Sequence, residues 1–255
     1  MYGVYEFMDQ IILDNLEVEA DANRVESAPH KQFDLAQNSL REVNHYLHHG
    51  LTQPGEYVTI LSPNGAHNVA VGVNADVNIE VDGHVGYYAG SMNQLAQVTI
   101  LGNAGTGVAE NMMSGRVHVK GFASVSAGAS AHGGLLVIEG DASLRCGISL
   151  KGADIVVGGS VGSFAAFMAQ AGRLVVCGNA GEALGDSLYE AVIYVRGTIK
   201  SLGADAQLEP MTAADYQAVA DLLQKAGFTY DSHDFQRVAS ARQLYHWNAD
   251  ANQEY

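Results

Sequence analysis

The chain has 255 residues, 47% of them apolar, which is enough for one large all-β domain or two ordinary ones. Its formal charge of −15 excludes a free nucleic-acid binder, which needs clustered Lys and Arg, and is read as a solubilising surface. No apolar stretch reaches membrane-spanning length, and Met1-Tyr2-Gly3-Val4-Tyr5-Glu6 lacks the basic start and apolar run of a signal peptide. The two cysteines, Cys146 and Cys177, fall at different phases of the repeat described below. They are expected to be free thiols in a cytoplasmic protein.

In chain order, the first expected element is a helix opened by Asp34-Leu35-Ala36-Gln37, a capping box with Asp in place of Ser or Thr. It runs through Leu40, Val43 and Leu47 to a stop at Gly50. Val58-Thr59-Ile60 then reads as a strand one period before Val77-Asn78-Ile79, with Asn64 in place of a corner glycine, since Asn tolerates left-handed backbone. Next comes the dominant pattern. Gly83, Gly102, Gly121, Gly140, Gly159, Gly178 and Gly197 stand 19 residues apart. A period held without insertion marks a repeat architecture.

Four and two residues before each glycine the side chain is aliphatic, from Ile79 and Val81 to Ile193 and Val195, so both positions share the inner face of a strand. Two residues after it stands a second small apolar column, Val85, Ala104, Ala123, Ala142, Val161, Ala180 and Ile199. Seven after it only Gly or Ala occurs: Gly90, Ala109, Gly128, Gly147, Ala166, Gly185 and Ala204. Stacked columns predict a right-handed parallel β-helix of seven or eight coils, because 19 glycine-punctuated residues leave no room for a three-turn helix as well as a strand. After the coils, Thr212-Ala213-Ala214-Asp215 opens a second helix through Tyr216, Val219, Leu222 and Leu223 to Gly227, and an aromatic segment follows over 240–247. The expected division is an N-terminal arm and capping helix over 1–50, the β-helix over 51–208 and a helical extension over 209–255.

Most motifs that suggest chemistry have a plainer reading. Gly102-Asn103-Ala104-Gly105-Thr106-Gly107 and Gly178-Asn179-Ala180-Gly181 look like phosphate-cradling loops, yet the same glycines recur in every coil, so they read as corners and no cofactor is assigned. His45, His48 and His49 share a helix without a carboxylate or Cys in a ligand pattern, and no metal is assigned. Asp154, Glu182, Asp186 and Glu190 form no evident acid–base dyad, Cys177 has no identifiable base, and no catalytic residue is assigned. The residues three before the ladder glycines point outward. Of these, Val137, Val156, Val175 and Tyr194 form an apolar stripe, which is either a candidate interface for a partner or a surface covered by residues 228–255.

Three segments carry a family resemblance: Arg145-Cys146-Gly147-Ile148-Ser149-Leu150-Lys151-Gly152-Ala153-Asp154, Ala165-Ala166-Phe167-Met168-Ala169-Gln170, and Gly178-Asn179-Ala180-Gly181-Glu182-Ala183-Leu184-Gly185-Asp186-Ser187, with Arg196-Gly197 and Ser201-Leu202-Gly203-Ala204-Asp205 beyond. With them, residues 33–247 resemble the GXGXG β-helix domain of the glutamate synthase large subunit. The chain is most like the stand-alone subunit of N-methylglutamate synthase, and a related form occurs in formylmethanofuran dehydrogenase. The resemblance implies a scaffold between an amidotransferase-type subunit and an FMN-binding subunit, with FMN and the catalytic residues in those partners. Tyr2, not Cys, follows Met1, and no alternating barrel of strands and helices is evident. A self-contained β-helix enzyme is the alternative from another class.

Overall fold

The computed structural model describes residues 29–241. In chain order these residues form β1 (His30–Asp34), α1 (Leu40–His49), β2 (Glu56–Leu61), β3 (Val77–Asp82), β4 (Gln97–Ile100), β5 (Arg116–Val119), β6 (Leu135–Ile138) and β7 (Lys151–Val157). There follow β8 (Ala171–Val176), β9 (Val192–Val195), β10 (Ala206–Glu209), α2 (Ala213–Ala226), one 3-10 turn (Ser232–Asp234) and β11 (Gln236–Ser240). Strands β1 to β9 stack in sequence order as one parallel sheet, the main wall of a right-handed parallel β-helix. From β3 onward the register advances by 19 residues per coil, as in Ile79↔Val98, Val98↔Val117 and Val117↔Leu136. The column two after the ladder forms a second wall of single parallel bridges from Val85 to Ile199.

The ladder glycines stack backbone on backbone. Each N–H from Gly102 to Gly197 donates to the carbonyl of the ladder glycine one coil earlier, at 2.8–3.1 Å. A Cβ on Gly102 would lie 2.5 Å from the Gly83 carbonyl carbon, and one on Gly178 would lie 2.6 Å from that of Gly159. Of the seven, only Gly83 has a positive φ, at 140°. Close approach, not left-handed backbone, therefore demands glycine at the others.

Left-handed backbone is concentrated on the third side of each coil, at positions five, seven and nine after the ladder. Tyr88, Gly90 and Met92 have φ of 62°, 63° and 55°, and Phe164, Ala166 and Met168 repeat the pattern at 59°, 55° and 55°. The middle position faces the core: a Cβ on Gly128 would lie 2.6 Å from Ile155 Cδ1, which explains the restriction to Gly and Ala. The outer two carry bulky side chains, although each non-glycine residue in this conformation costs about 1–2 kcal/mol. Bonds in both directions offset the cost. Phe164 N–H donates to Glu182 O in the next coil at 2.8 Å, whereas Ala166 N–H donates to Cys146 O in the previous one at 2.7 Å.

Both ends depart from expectation. Helix α1 starts at Ser39, whose hydroxyl caps the Glu42 N–H while the Glu42 carboxylate accepts from the Ser39 N–H at 2.7 Å. Asp34 instead ends β1 and accepts from Ala36 N–H at 3.0 Å, so the second box five residues on takes the helix start. The sheet begins at His30, inside the expected arm, because β1 pairs in parallel with β2, as in Phe33↔Ile60. Strand β2 lies 21 residues before β3 (Val58↔Ile79), not 19. The two extra residues widen the corner at Ser62-Pro63-Asn64, where Asn64 does take φ of 45°. An even slip keeps every inward side chain inward. At the far end β11 pairs antiparallel with both β9 and β10, so the extension expected to be helical also closes the sheet edge. The aromatic segment 240–247 lies, beyond Ala241, outside the described residues.

One buried cluster runs the length of the solenoid, from Phe33 to Val238, and includes Val43 and Leu47 of α1. Glu56 is buried at the junction with α1, where it accepts from Tyr46 Oη at 2.8 Å and from Thr52 N–H and Oγ1 at 2.6 Å. No helix among the described residues is long and apolar enough to cross a membrane.

The ladder and the left-handed column make opposite predictions for the same substitution. Gly178→Ala must displace backbone and is expected to cost about 3 kcal/mol. Gly147→Ala, at φ 69° with only Ile155 Cδ1 nearby at 3.4 Å, is expected to cost about 1 kcal/mol. Urea unfolding of the two variants, read as the midpoint shift, checks the contrast.

Candidate functional site

The corner motifs that look like phosphate loops hold the coils together. One residue after the ladder stand His84, Asn103, Phe122, Asp141, Ser160, Asn179 and Thr198. His84 Nδ1 accepts from Asn103 N–H at 2.9 Å, Asp141 Oδ1 from Ser160 N–H at 2.7 Å, and Asn179 Oδ1 from Thr198 N–H at 2.8 Å. Each side chain thus caps the backbone of the next coil. A depression of about 460 Å³ runs along this column beside Ser160, Asn179 and Lys200. The Lys200 ammonium is paired with Glu182 at 2.9 Å.

The other candidate residues are likewise engaged in structure. His48 Nε2 lies 2.8 Å from the Val71 carbonyl, so the ring donates there and ties α1 to the first coil. The His45 and His49 rings lie 4.9 Å apart, and no group of three His, Cys, Asp or Glu able to hold a metal occurs among the described residues. Asp154 receives a two-point contact from Arg173, at 2.7 Å for each bond. Asp186 accepts from Ser187 Oγ at 3.0 Å and from Ala204 N–H at 3.3 Å. Glu190 stands on the loop before β9, and its carboxylate does not join Asp154 on the sheet face. Cys146 and Cys177 are free and buried, and burial pushes each thiol up to about 12. Neither is a ready thiolate near neutral pH.

The apolar stripe is not an open interface. Val137, Val156 and Val175 are wholly buried and Tyr194 is nearly so, under Val219, Leu222, Leu223 and Ala226 of α2 with Phe235. Residues 213–226, which precede the tail expected to compete with a partner, supply most of that cover. The reason lies in the column itself. Thr59, Glu80, Thr99 and His118 are polar where the sheet face is bare of α2, and the column turns apolar at Val137, where α2 begins to lie across it.

A polar latch holds the start of α2. Tyr194 Oη donates to Asp215 Oδ1 at 2.7 Å, and Thr212 donates to Asp215 Oδ2 through N–H at 2.8 Å and Oγ1 at 2.6 Å. The Arg237 guanidinium reaches Asp215 at 3.3 Å and also pairs with Glu209. Burial pushes the Asp215 carboxyl up, but the hydrogen bonds from Thr212 and Tyr194 outweigh it and hold the group below its ordinary value. Burial and the neighbouring Asp215 charge raise the Tyr194 phenol. The sequence signalled the Thr212–Asp215 box, but Tyr194 and Arg237 are distant in the chain and carried no signal.

Two outcomes follow. Leu222→Ala is expected to cost about 2–5 kcal/mol and to loosen α2. Cys177, in the cluster beneath it, should then react faster with a thiol reagent while Cys146 inside the coils stays protected; labelling rates by mass spectrometry check this. Because the folded Asp215 carboxyl is depressed, its contribution is present above its unfolded value of about 4 and is lost as pH falls below it. Asp215→Asn should therefore flatten the acid limb of stability against pH, measured by urea unfolding at pH steps.

No family model matches the chain. Protein GlxC of Rhizobium meliloti (strain 1021) is 58% identical over 226 residues, covering 88% of this chain and 99% of GlxC. An alignment that long spans the whole stack of coils together with α2, and the chain belongs to the GlxC family.

Proposed function

We propose that the chain is a non-catalytic structural subunit of a glutamate-synthase-like complex, most like that of N-methylglutamate synthase, which makes N-methylglutamate from methylamine and glutamate. In this reading the rod braces an amidotransferase-type subunit against an FMN-binding subunit in the cytoplasm. The flavin and the reacting groups belong to those partners. The observation that carries the reading is the use of the chain's chemistry for its own stacking. The corner amides and hydroxyls cap the next coil, Asp154, Glu182 and Asp186 have partners within the fold, and both thiols are buried. The alignment to nearly all of GlxC adds support, because it leaves no room in that relative for a further catalytic domain.

The test is reconstitution. The purified chain alone is expected to form no N-methylglutamate from methylamine and glutamate, and to bind no flavin. Co-expressed with an amidotransferase-type and an FMN-binding glutamate-synthase-type subunit, it is expected to co-elute with both and to restore turnover. Turnover by the single chain would identify a self-contained β-helix enzyme instead. Molybdenum or tungsten in a native complex would place the chain with the formylmethanofuran-dehydrogenase type.

A further inference from the structure

With the stripe covered by α2, a different face remains open. On the left-handed side of the coils, Leu144, Phe164 and Met168 are 48%, 42% and 50% exposed. Phe164 and Phe167 meet edge to face, with ring centroids 6.0 Å apart. Backbone bonds set these residues side by side: Arg145 N–H donates to Ser163 O at 3.0 Å, and Ser149 N–H to Phe167 O at 2.8 Å. At the centre stands Arg145, exposed, whose guanidinium has no hydrogen bond or ion pair with another described residue.

Aromatic residues, Met and Arg on one patch make the composition that concentrates binding energy at protein interfaces. The left-handed backbone makes the arrangement stiff, because each of Arg145, Phe164 and Met168 is fixed at a φ of 55–59° by bonds to both neighbouring coils. An unpaired guanidinium among apolar side chains calls for a carboxylate from outside, held in a two-point contact. The nearest acidic residues of the chain's own surface are already engaged: Glu182 with Lys200, and Asp186 with Ser187 and Ala204. A second copy is disfavoured on the same ground. A two-fold interface sets the patch against itself, and the patch offers a cation and no carboxylate.

We infer that Leu144, Arg145, Phe164, Phe167 and Met168 form a docking face for a partner subunit that presents a carboxylate within an apolar surround. The inference rests on the scaffold reading above and names the surface through which the scaffold acts. It is tested with the full chain and the two co-expressed partner subunits, by sedimentation velocity and by titration. Arg145→Glu is expected to weaken assembly about tenfold or more by setting like charges together. The double variant Phe164→Asn, Met168→Asn removes the apolar contact with a residue that suits left-handed backbone, and is expected to abolish assembly while thermal unfolding stays near wild type. Phe122→Ser, an equally exposed aromatic on the corner column, is the control expected to assemble normally.

If wild type and all variants assemble alike, the docking face is overturned and the scaffold reading stands. If wild type joins neither subunit, both fall together. A wild-type homodimer broken by the Phe164 and Met168 changes would overturn the proposal in favour of a second copy.

Discussion

The fold depends on a chain of hydrogen bonds that runs through glycine alone. Each ladder glycine donates to the one beneath it with the two backbones in contact, and that approach leaves no volume for a Cβ. The consequence is a fixed repeat. With the corners stacked, every position in a coil lies over its equivalent, so apolar, polar and small columns form without further specification. Regular strand pairing and a continuous core follow from that alignment.

The remaining sides of the coil use the same alignment differently. At the corner, short polar side chains satisfy the amide above them, a device available only when equivalent residues lie one strand spacing apart. On the third side, alternating left-handed residues turn the chain while bonding both up and down. This permits bulky residues such as Phe164 in a conformation they avoid elsewhere. On the sheet face, a change from polar to apolar along one column determines where the chain's own helix can lie.

Much of the architecture was legible because the repeat is written directly in the sequence. The ladder, the inner pairs, the second bridge column and the Thr212 and Gly227 limits of α2 all reappear. What failed was local competition or long-range placement. Ser39 displaced Asp34 because two capping signals lay five residues apart, and the Ser62–Asn64 corner took two extra residues that leave the apolar alternation unchanged. The stripe at Val137 to Tyr194 was visible, but its cover was not, since an amphipathic helix has the same pattern whether it caps, braces or meets a partner. Left-handed Tyr88, Met92, Phe164 and Met168 carried no local signal, because hydrogen bonds from neighbouring coils override their intrinsic preference. The docking face depends on that backbone and was illegible for the same reason.

Because α2 lies lengthwise across strands of several coils, it couples layers that otherwise touch only their immediate neighbours. The rod is therefore mechanically asymmetric. Pulled or heated, the stack has a bolted half and a free half, and the coils before Val137 can peel one at a time while those after it must release together. Such a body unzips from one end toward a stop. Force or strain delivered at the bolted half is passed on as rigid motion, whereas the same load at the other half is absorbed coil by coil.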